Sequence, residues 1–239
     1  MIDDVGDRLD LGRRAVALPA PVTLAFLPHT TFAARLAHAA HAAGKEVMLH
    51  LPMESVIPRP LGPGGITLHM DEAQFSRTLE ADLAAIPHVR GVNNHMGSLL
   101  TPHPGHMSWL MAGLRARGDL YFIDSRTTAS SVAPAVAREH GVPHLVRDVF
   151  LDPDPTPARI EAQWRQAVAL ARTHGRAVVI GHPYPDTLAL LERELPRLAA
   201  QGCRVVAPSA LITQHQQRSP ELWHASLSPS PPAAKNSKP

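Results

Sequence analysis

Asp3 and Asp4 stand side by side near the start of the chain, and histidines recur at His29, His50, His95 and His182, each at or just after an apolar run. Carboxylates and imidazoles are the side chains that hold a hydrolytic divalent metal, which needs about three such ligands, an open position for water and a base to take its proton. Two consecutive carboxylates at a strand end face different ways, so one can bind a cation while the other stays free as a base. The same pair ahead of Gly6 also suits a helix cap or an Asx turn. His50 in Leu-His-Leu-Pro-Met-Glu reads as a ligand or as a core histidine held by a backbone carbonyl, and His95 in Asn-Asn-His-Met-Gly-Ser as a ligand or a turn residue. His182 in Gly-His-Pro-Tyr-Pro-Asp reads as a turn residue locked by prolines or as an acid poised to protonate a leaving group. Asp124 and Arg126 suit a structural ion pair as well as a direct role.

What decides between these readings is the set of elements that would carry the residues. Apolar, β-like runs occur at Val22 to Leu27, Glu46 to Leu51, Val89 to Asn93, Leu120 to Ile123, Pro143 to Val146, Ala177 to Ile180 and Arg204 to Ala207, with Met1 and Ile2 opening an eighth. Between them, Ala/Leu-rich segments with spacing of three and four predict helices at Thr31 to Ala43, Asp71 to Ala85, His106 to Arg117, Ser131 to His140, Pro157 to His174 and Asp186 to Ala200. Pro157 suits a first helical turn, and Gly44, Gly141 and Gly175 fall where left-handed caps would end helices. Strand and helix in alternation mean parallel strands joined by crossovers, either a closed barrel or an open doubly wound sheet. In a barrel, the loops after the carboxyl ends of the strands carry the chemistry. Read in order, those ends deliver Asp3 and Asp4, His29, His50 with Glu54, Asn93 with Asn94 and His95, Asp124 with Arg126, Arg147 with Asp148, and His182 to one rim. That joint placement favours a site over scattered loop residues.

Bulk properties agree with one large domain: 239 residues, 44% of them hydrophobic, are enough for a substantial core. Basic residues number 23 against 21 acidic ones and are scattered rather than striped, which argues against nucleic acid as partner. The lone Cys203 cannot form an intrachain disulfide and leaves the redox compartment open. No stretch approaches the roughly 20 apolar residues of a membrane span, and no basic region followed by an apolar core opens the chain. A strand normally takes about five residues, so carboxylates at positions 3 and 4 imply either a short first strand or residues upstream of it. Residues 55–70, rich in Pro and Gly, predict a loop over one end of the barrel. From residue 215 to 239 the Ser- and Pro-rich composition predicts a disordered tail after a domain spanning 1–214.

The segments Ile-Asp-Asp-Val-Gly, Val-Met-Leu-His-Leu-Pro-Met-Glu, Gly-Val-Asn-Asn-His-Met-Gly-Ser, Phe-Ile-Asp-Ser-Arg-Thr-Thr and Val-Ile-Gly-His-Pro-Tyr-Pro occur in this order. Together they resemble the divergent polysaccharide deacetylase family, over residues 2 to about 212. The resemblance implies a distorted (β/α) barrel of seven to eight mostly parallel strands, of the NodB-type deacetylase kind. It further implies a divalent metal, zinc by preference, held by Asp4, His50 and His95, with Asp3 as base and His182 as acid. Asn94, Asp124 and Arg126 would then line the substrate site, and the partner would be a glycan bearing N-acetylated amino sugars in the bacterial periplasm or envelope. Related carbohydrate esterases place a second His four residues after the first, where this chain has Glu54, and His95 would be this family's own ligand. Those departures also suggest a binding protein that kept the barrel and lost turnover, and a further reading is hydrolysis of a glycosidic bond if Asp124 or Asp148 faces Asp3 across the groove.

Overall fold

The computed structural model describes residues 1–218. Eight strands, β1 (Ile2–Val5), β2 (Leu24–Phe26), β3 (Val47–Met53), β4 (Val89–Met96), β5 (Tyr121–Asp124), β6 (His144–Val146), β7 (Val149–Phe150) and β8 (Val179–Ile180), alternate for the most part with helices. The helices are α1 (Leu9–Val16), α2 (Ala33–Ala42), α3 (Glu72–Ala85), α4 (Pro104–Ala116), α5 (Ala133–Glu139), α6 (Pro157–His174), α7 (Pro185–Glu194) and α8 (Pro208–Arg218). Strands β1 to β6 form one parallel sheet in sequence order, and β7 pairs with β8, also in parallel.

The two sheets join into a distorted barrel. On one side an isolated parallel bridge links Ile2 to Gly181, with the Met1 ammonium donating to Val179 O (2.7 Å) and Asp3 N to Gly181 O (2.9 Å). On the other, the chain itself crosses, with Arg147 N bonded to Asp124 O (3.0 Å) and Asp148 N to Val178 O (2.8 Å). The strands are apolar on both faces because a parallel sheet in a barrel is covered on both. Ala25, Met48, Tyr121, Ile123, Leu145 and Ile180 pack with Ile212 of α8 as one cluster, while Leu24, Phe26, Leu49, Leu51, Val92 and Phe122 belong to the larger core shared with the helices. At the amino-terminal end of the strands Glu46 accepts from Tyr121 Oη (2.6 Å) and from the Ser209 hydroxyl at the start of α8. This bond holds α8 across the end of the barrel opposite the rim that carries the histidines.

One expected strand is absent, and β7 and α1 were not foreseen. Arg204 to Ala207 is not a strand. The edge of β1 that it would need is taken by β8 through Gly181, and Val205 packs against the core instead. The eighth strand is β7, a two-residue element too short for the pattern to reveal. Helix α1 was not expected, since it has no side-chain cap and contains Gly12; packing requires that glycine, because a Cβ there would stand 2.4 Å from Leu36 of α2. The tail expected from residue 215 begins inside α8, whose backbone runs to Arg218; the rest of it lies outside the described residues.

The Pro/Gly-rich loop after β3 is tied to the barrel. Ile66 bridges Met53, Glu54 N donates to Ile66 O (2.9 Å), and the Glu54 carboxylate accepts from Leu68 N (2.7 Å). At its turn Gly64 (φ +77) lies over Asp82 of α3, and a Cβ there would come within 2.1 Å of Asp82 Oδ1, so the position demands glycine on two counts. Asp82 is fully buried, and its Oδ1 meets His29 Nε2 at 2.8 Å. Burial raises the Asp82 pKa to about 7, with His29 only partly opposing it. A carboxyl whose pKa is higher folded than unfolded stabilises the fold most below its unfolded value of about 4 and loses that contribution as pH rises toward its folded value. Asp82→Asn, which keeps an acceptor for His29, should therefore flatten the decline in stability between about pH 4 and about pH 7, as read by urea denaturation at several pH values; an unchanged slope would place the pH dependence elsewhere.

Candidate metal centre

The rim residues come together because strand register and one bulge bring them there. β3 and β4 pair His50 with Asn93 and Pro52 with His95, so His50, Asn93 and His95 share a face. β1 would send Asp3 and Asp4 to opposite faces, but between Ile2 and Val5 it holds one residue more than the matching stretch of β2, from Leu24 to Phe26. The extra residue is a β-bulge, and Asp4 takes a left-handed backbone there (φ +53). His29 and Arg126, on loops that follow strands, and Met96, which ends β4, also have positive φ. Backbone strain of this kind concentrates at functional rims.

Asp4 Oδ1 lies 2.8 Å from His95 Nδ1 and 3.1 Å from His50 Nε2, and those two nitrogens are 3.2 Å apart. Neither contact to Asp4 Oδ1 has hydrogen-bond geometry, which leaves a buried carboxylate oxygen without a hydrogen-bond partner. The tautomer of His50 follows from its neighbour. Asn93 donates through Nδ2 to Asp3 Oδ2 (2.8 Å) and to Ser125 Oγ (3.1 Å), so its Oδ1, 2.9 Å from His50 Nδ1, must accept. In neutral His50 the proton then sits on Nδ1, and Nε2 offers its lone pair to the cluster. With neutral His50 accepting at Nε2, His95 Nδ1 donates to it; once that shared proton is gone, one carboxylate oxygen and two imidazole nitrogens, one ring oriented through its other nitrogen, are the donor set of a divalent-cation site. Asp4, His50 and His95 fit such an ion.

Electrostatics point the same way. Burial alone would raise the Asp4 pKa, but the imidazoles of His50 and His95 overcome it and hold the carboxyl far below its usual range. Burial would lower the His50 pKa, yet Asp3 and Asp4 push it up to about 9. The cluster draws positive charge to itself.

His182 stands beside it, with Nε2 3.8 Å from Asp4 Oδ2. Asp152 receives its Nδ1 (2.9 Å) and its backbone N–H (2.7 Å), and is held in turn by Thr187 Oγ1 (2.7 Å). Burial lowers the His182 pKa, but Asp152, with Asp4 and Asp3, outweighs it, and the net shift is upward. Asp152 was not expected from sequence, although the rule that exposed Asp3 covers it, since it closes the apolar run Val149 to Leu151.

Several expected residues serve other ends. Glu54 is no ligand, because its carboxylate anchors the loop at Leu68. Asn94 is buried, donating to Met96 O (2.7 Å) and accepting from Ser125 N (2.8 Å), so it staples two rim loops. Asp124 is buried and takes Arg126 N (2.7 Å) in an Asx turn, and no ion pair joins it to the Arg126 guanidinium. Asp148 takes Val178 N (2.7 Å). Asp124 and Asp148 thus each spend one carboxylate oxygen on a backbone N–H. Arg126 is exposed on the rim.

Fold and site define a (β/α) barrel with a candidate metal centre at the carboxyl ends of its strands. The profile of the divergent polysaccharide deacetylase family matches residues 1–212, and the chain belongs to that family. It is 36% identical over 198 residues to an uncharacterized protein of Haemophilus influenzae, which covers 83% of this chain and 70% of that one. It is 35% identical over 211 residues to the uncharacterized protein YibQ of Escherichia coli, covering 88% of this chain and 66% of YibQ. Among solved structures, an uncharacterized protein from Agrobacterium tumefaciens superposes with a TM-score of 0.84 at 24% identity, covering 88% of this chain and 86% of that one. A lactam utilization protein from Thermus thermophilus superposes at 0.60 and 14% identity, covering 84% and 96%. These two likenesses speak to the fold.

Removing a support rather than a ligand tests the centre. Asn93→Ala should weaken zinc binding about 10- to 100-fold by releasing His50, and His95→Ala should weaken it further, both read by competition with a chromogenic chelator. Unchanged affinity in both would rule out this cluster as the metal site.

Proposed function

We propose that this protein removes N-acetyl groups from an amino-sugar glycan with the help of a divalent metal, zinc by preference, held by Asp4, His50 and His95. The observation that carries the reading is the convergence of Asp4 Oδ1, His50 Nε2 and His95 Nδ1 on one point, flanked by Asp3 on one side and the His182–Asp152 pair on the other. Family membership supports the same chemistry. A bound divalent cation would polarise the amide carbonyl and lower the pKa of water.

The chain's own residues supply the rest. Asp3 Oδ2 is engaged by Asn93, while its Oδ1 is buried with no hydrogen-bond partner and is available to take a proton from the attacking water. His182 acts at the other end. With Nδ1 bound to Asp152 and its pKa raised, the imidazolium carries its second proton on Nε2, where it can be given to the departing amine. Asn94 and Asp124 affect substrate only through the loops they hold, whereas Arg126 is free to touch it.

The surroundings suit a sugar. Among the described residues the exposed large hydrophobic side chains are Val56, Ile57 and Tyr184, all on rim loops. Val56 N is bonded to Ser98 Oγ, close in sequence to His95, and the Tyr184 ring lies 5.5 Å from His182. Apolar groups rimming a polar centre mark a binding surface, and a pyranose offers them an apolar face. Among the described residues no helix is long and apolar enough to cross a membrane. We place the substrate in the bacterial envelope on the strength of the family alone.

Acetate release from acetylated chito-oligosaccharides and peptidoglycan fragments, above a metal-free control, tests the activity; none from any of them would leave a binding protein. Asp3→Asn should cut turnover by about 10² to 10⁴, the usual worth of a general base, with bound metal retained. Loss of metal instead would exchange the roles of Asp3 and Asp4. Asp152→Asn should lower the His182 pKa and move the basic limb of the pH–rate profile to lower pH; a profile that stays in place would take the acid role from His182.

A further inference from the structure

Next to the metal centre two arginines project from neighbouring strand ends, Arg126 after β5 and Arg147 after β6, whose strands pair Asp124 with Val146. Arg147 is half-buried. Its Nε donates to Ser125 O (2.6 Å) and its Nη2 to Arg126 O (2.9 Å), which leaves Nη1 and one Nη2 hydrogen uncommitted. Its guanidinium sits 5.1 Å above the Phe150 ring, and that ring meets the His182 imidazole edge-on at 5.3 Å. The Ser125 that Arg147 holds is the one bonded to Asn93, the support of His50 and Asp3. Arg147 is thus fixed on both sides to groups of the reacting centre.

Neither arginine is ion-paired among the described residues, although Asp124, Asp3 and Asp148 lie near enough to act on Arg147 at longer range. The carboxylates beside them, Asp124 and Asp148, are turned to the backbone N–H groups of Arg126 and Val178. Among the described residues no carboxylate comes within the 4.0 Å of an ion pair with either guanidinium, and the Arg126 side chain makes no hydrogen bond. Burial, and after it the nearby Arg126, depress the Arg147 pKa against the opposing pull of Asp124, Asp3 and Asp148. Keeping two guanidinia together beside a desolvated centre is unfavourable unless an anion joins them, and planar guanidinium forks match carboxylates in two-pronged fashion.

We infer that the glycan taken by this centre carries a carboxylate near the acetamido group, as a uronic acid or a lactyl ether would, and that Arg126 and Arg147 receive it. The inference rests on the deacetylase reading above, and it makes the protein an enzyme of acidic rather than neutral amino-sugar polymers.

Binding to zinc-loaded Asp3→Asn protein tests it without turnover. The probes are a tetrasaccharide of alternating N-acetylglucosamine and N-acetylmuramic acid with free lactyl carboxylates, and the same tetrasaccharide with those groups converted to methylamides. Calorimetry should show the acid form bound at least about tenfold more tightly, about 1.4 kcal/mol, with the preference shrinking as salt rises. Arg126→Gln should abolish the preference and Arg126→Lys retain part of it; Arg126 is exposed, so neither change threatens folding. Equal affinity for the two forms, or a preference untouched by Arg126→Gln, would overturn the carboxylate subsite and leave the glycan reading standing. Failure of both forms to bind would bring down the glycan reading and this inference with it.

Discussion

Everything at the rim depends on turning two successive carboxylates to the same side of one strand. A regular strand alternates its side chains, and only one of Asp3 and Asp4 would face the barrel. The bulge in β1 removes that restriction by adding one residue against β2, and the left-handed backbone of Asp4 absorbs the change of direction. A non-glycine residue in that conformation costs of order 1 kcal/mol or more. The surrounding structure holds it there: Ile2 is bonded to Thr23, Asp3 to Gly181, and Leu27 to Val5, so both ends of the bulge are fixed by neighbouring chain.

Asn93 performs the complementary task. Buried carboxylates and imidazoles are tolerated only when their polar atoms are engaged, and one amide serves both Asp3 and His50 from a single position on β4. It binds Asp3 with the end that donates and His50 with the end that accepts, so it sets the His50 tautomer while orienting the candidate base. On the far side Asp152 does for His182 what Asn93 does for His50, and Thr187 holds Asp152. Both histidines therefore have their outward nitrogen occupied and their inward nitrogen directed at the same small space.

Much of this could be read from sequence where a strand's apolar run ends in a chemically active residue. The parallel order and the gathering of Asp4, His50, His95 and His182 at one rim follow from that pattern, while the barrel came from the family resemblance. What the pattern cannot distinguish is whether a polar rim residue faces the site or the backbone. Asn94, Asp124 and Glu54 carry the right atoms at strand ends, yet each spends them on loop N–H groups or carbonyls, because the rim loops have no sheet to satisfy their backbone. The Arg204 to Ala207 run failed for a related reason. A strand exists only if an edge is free to pair with it, and the sequence of one segment does not say which edges others have taken. Helix α1 shows the reverse case, in which weak local propensity is overruled by the packing of Gly12 against Leu36.

Charge balance ties the site together. Asp3, Asp4 and Asp152 bring three carboxylates into a largely buried space, and His50 and His182, with their pKa values raised, are the groups that answer them when no metal is bound. A divalent cation bound by Asp4, His50 and His95 would take over the answer to Asp4 and displace the proton from His50, since a metal ligand must present its lone pair. His182 keeps its own partner in Asp152 through that exchange. The separation of the two imidazoles, one bonded to a neutral amide and one to a carboxylate, is what would let a single cluster hold a cation and an acid side by side.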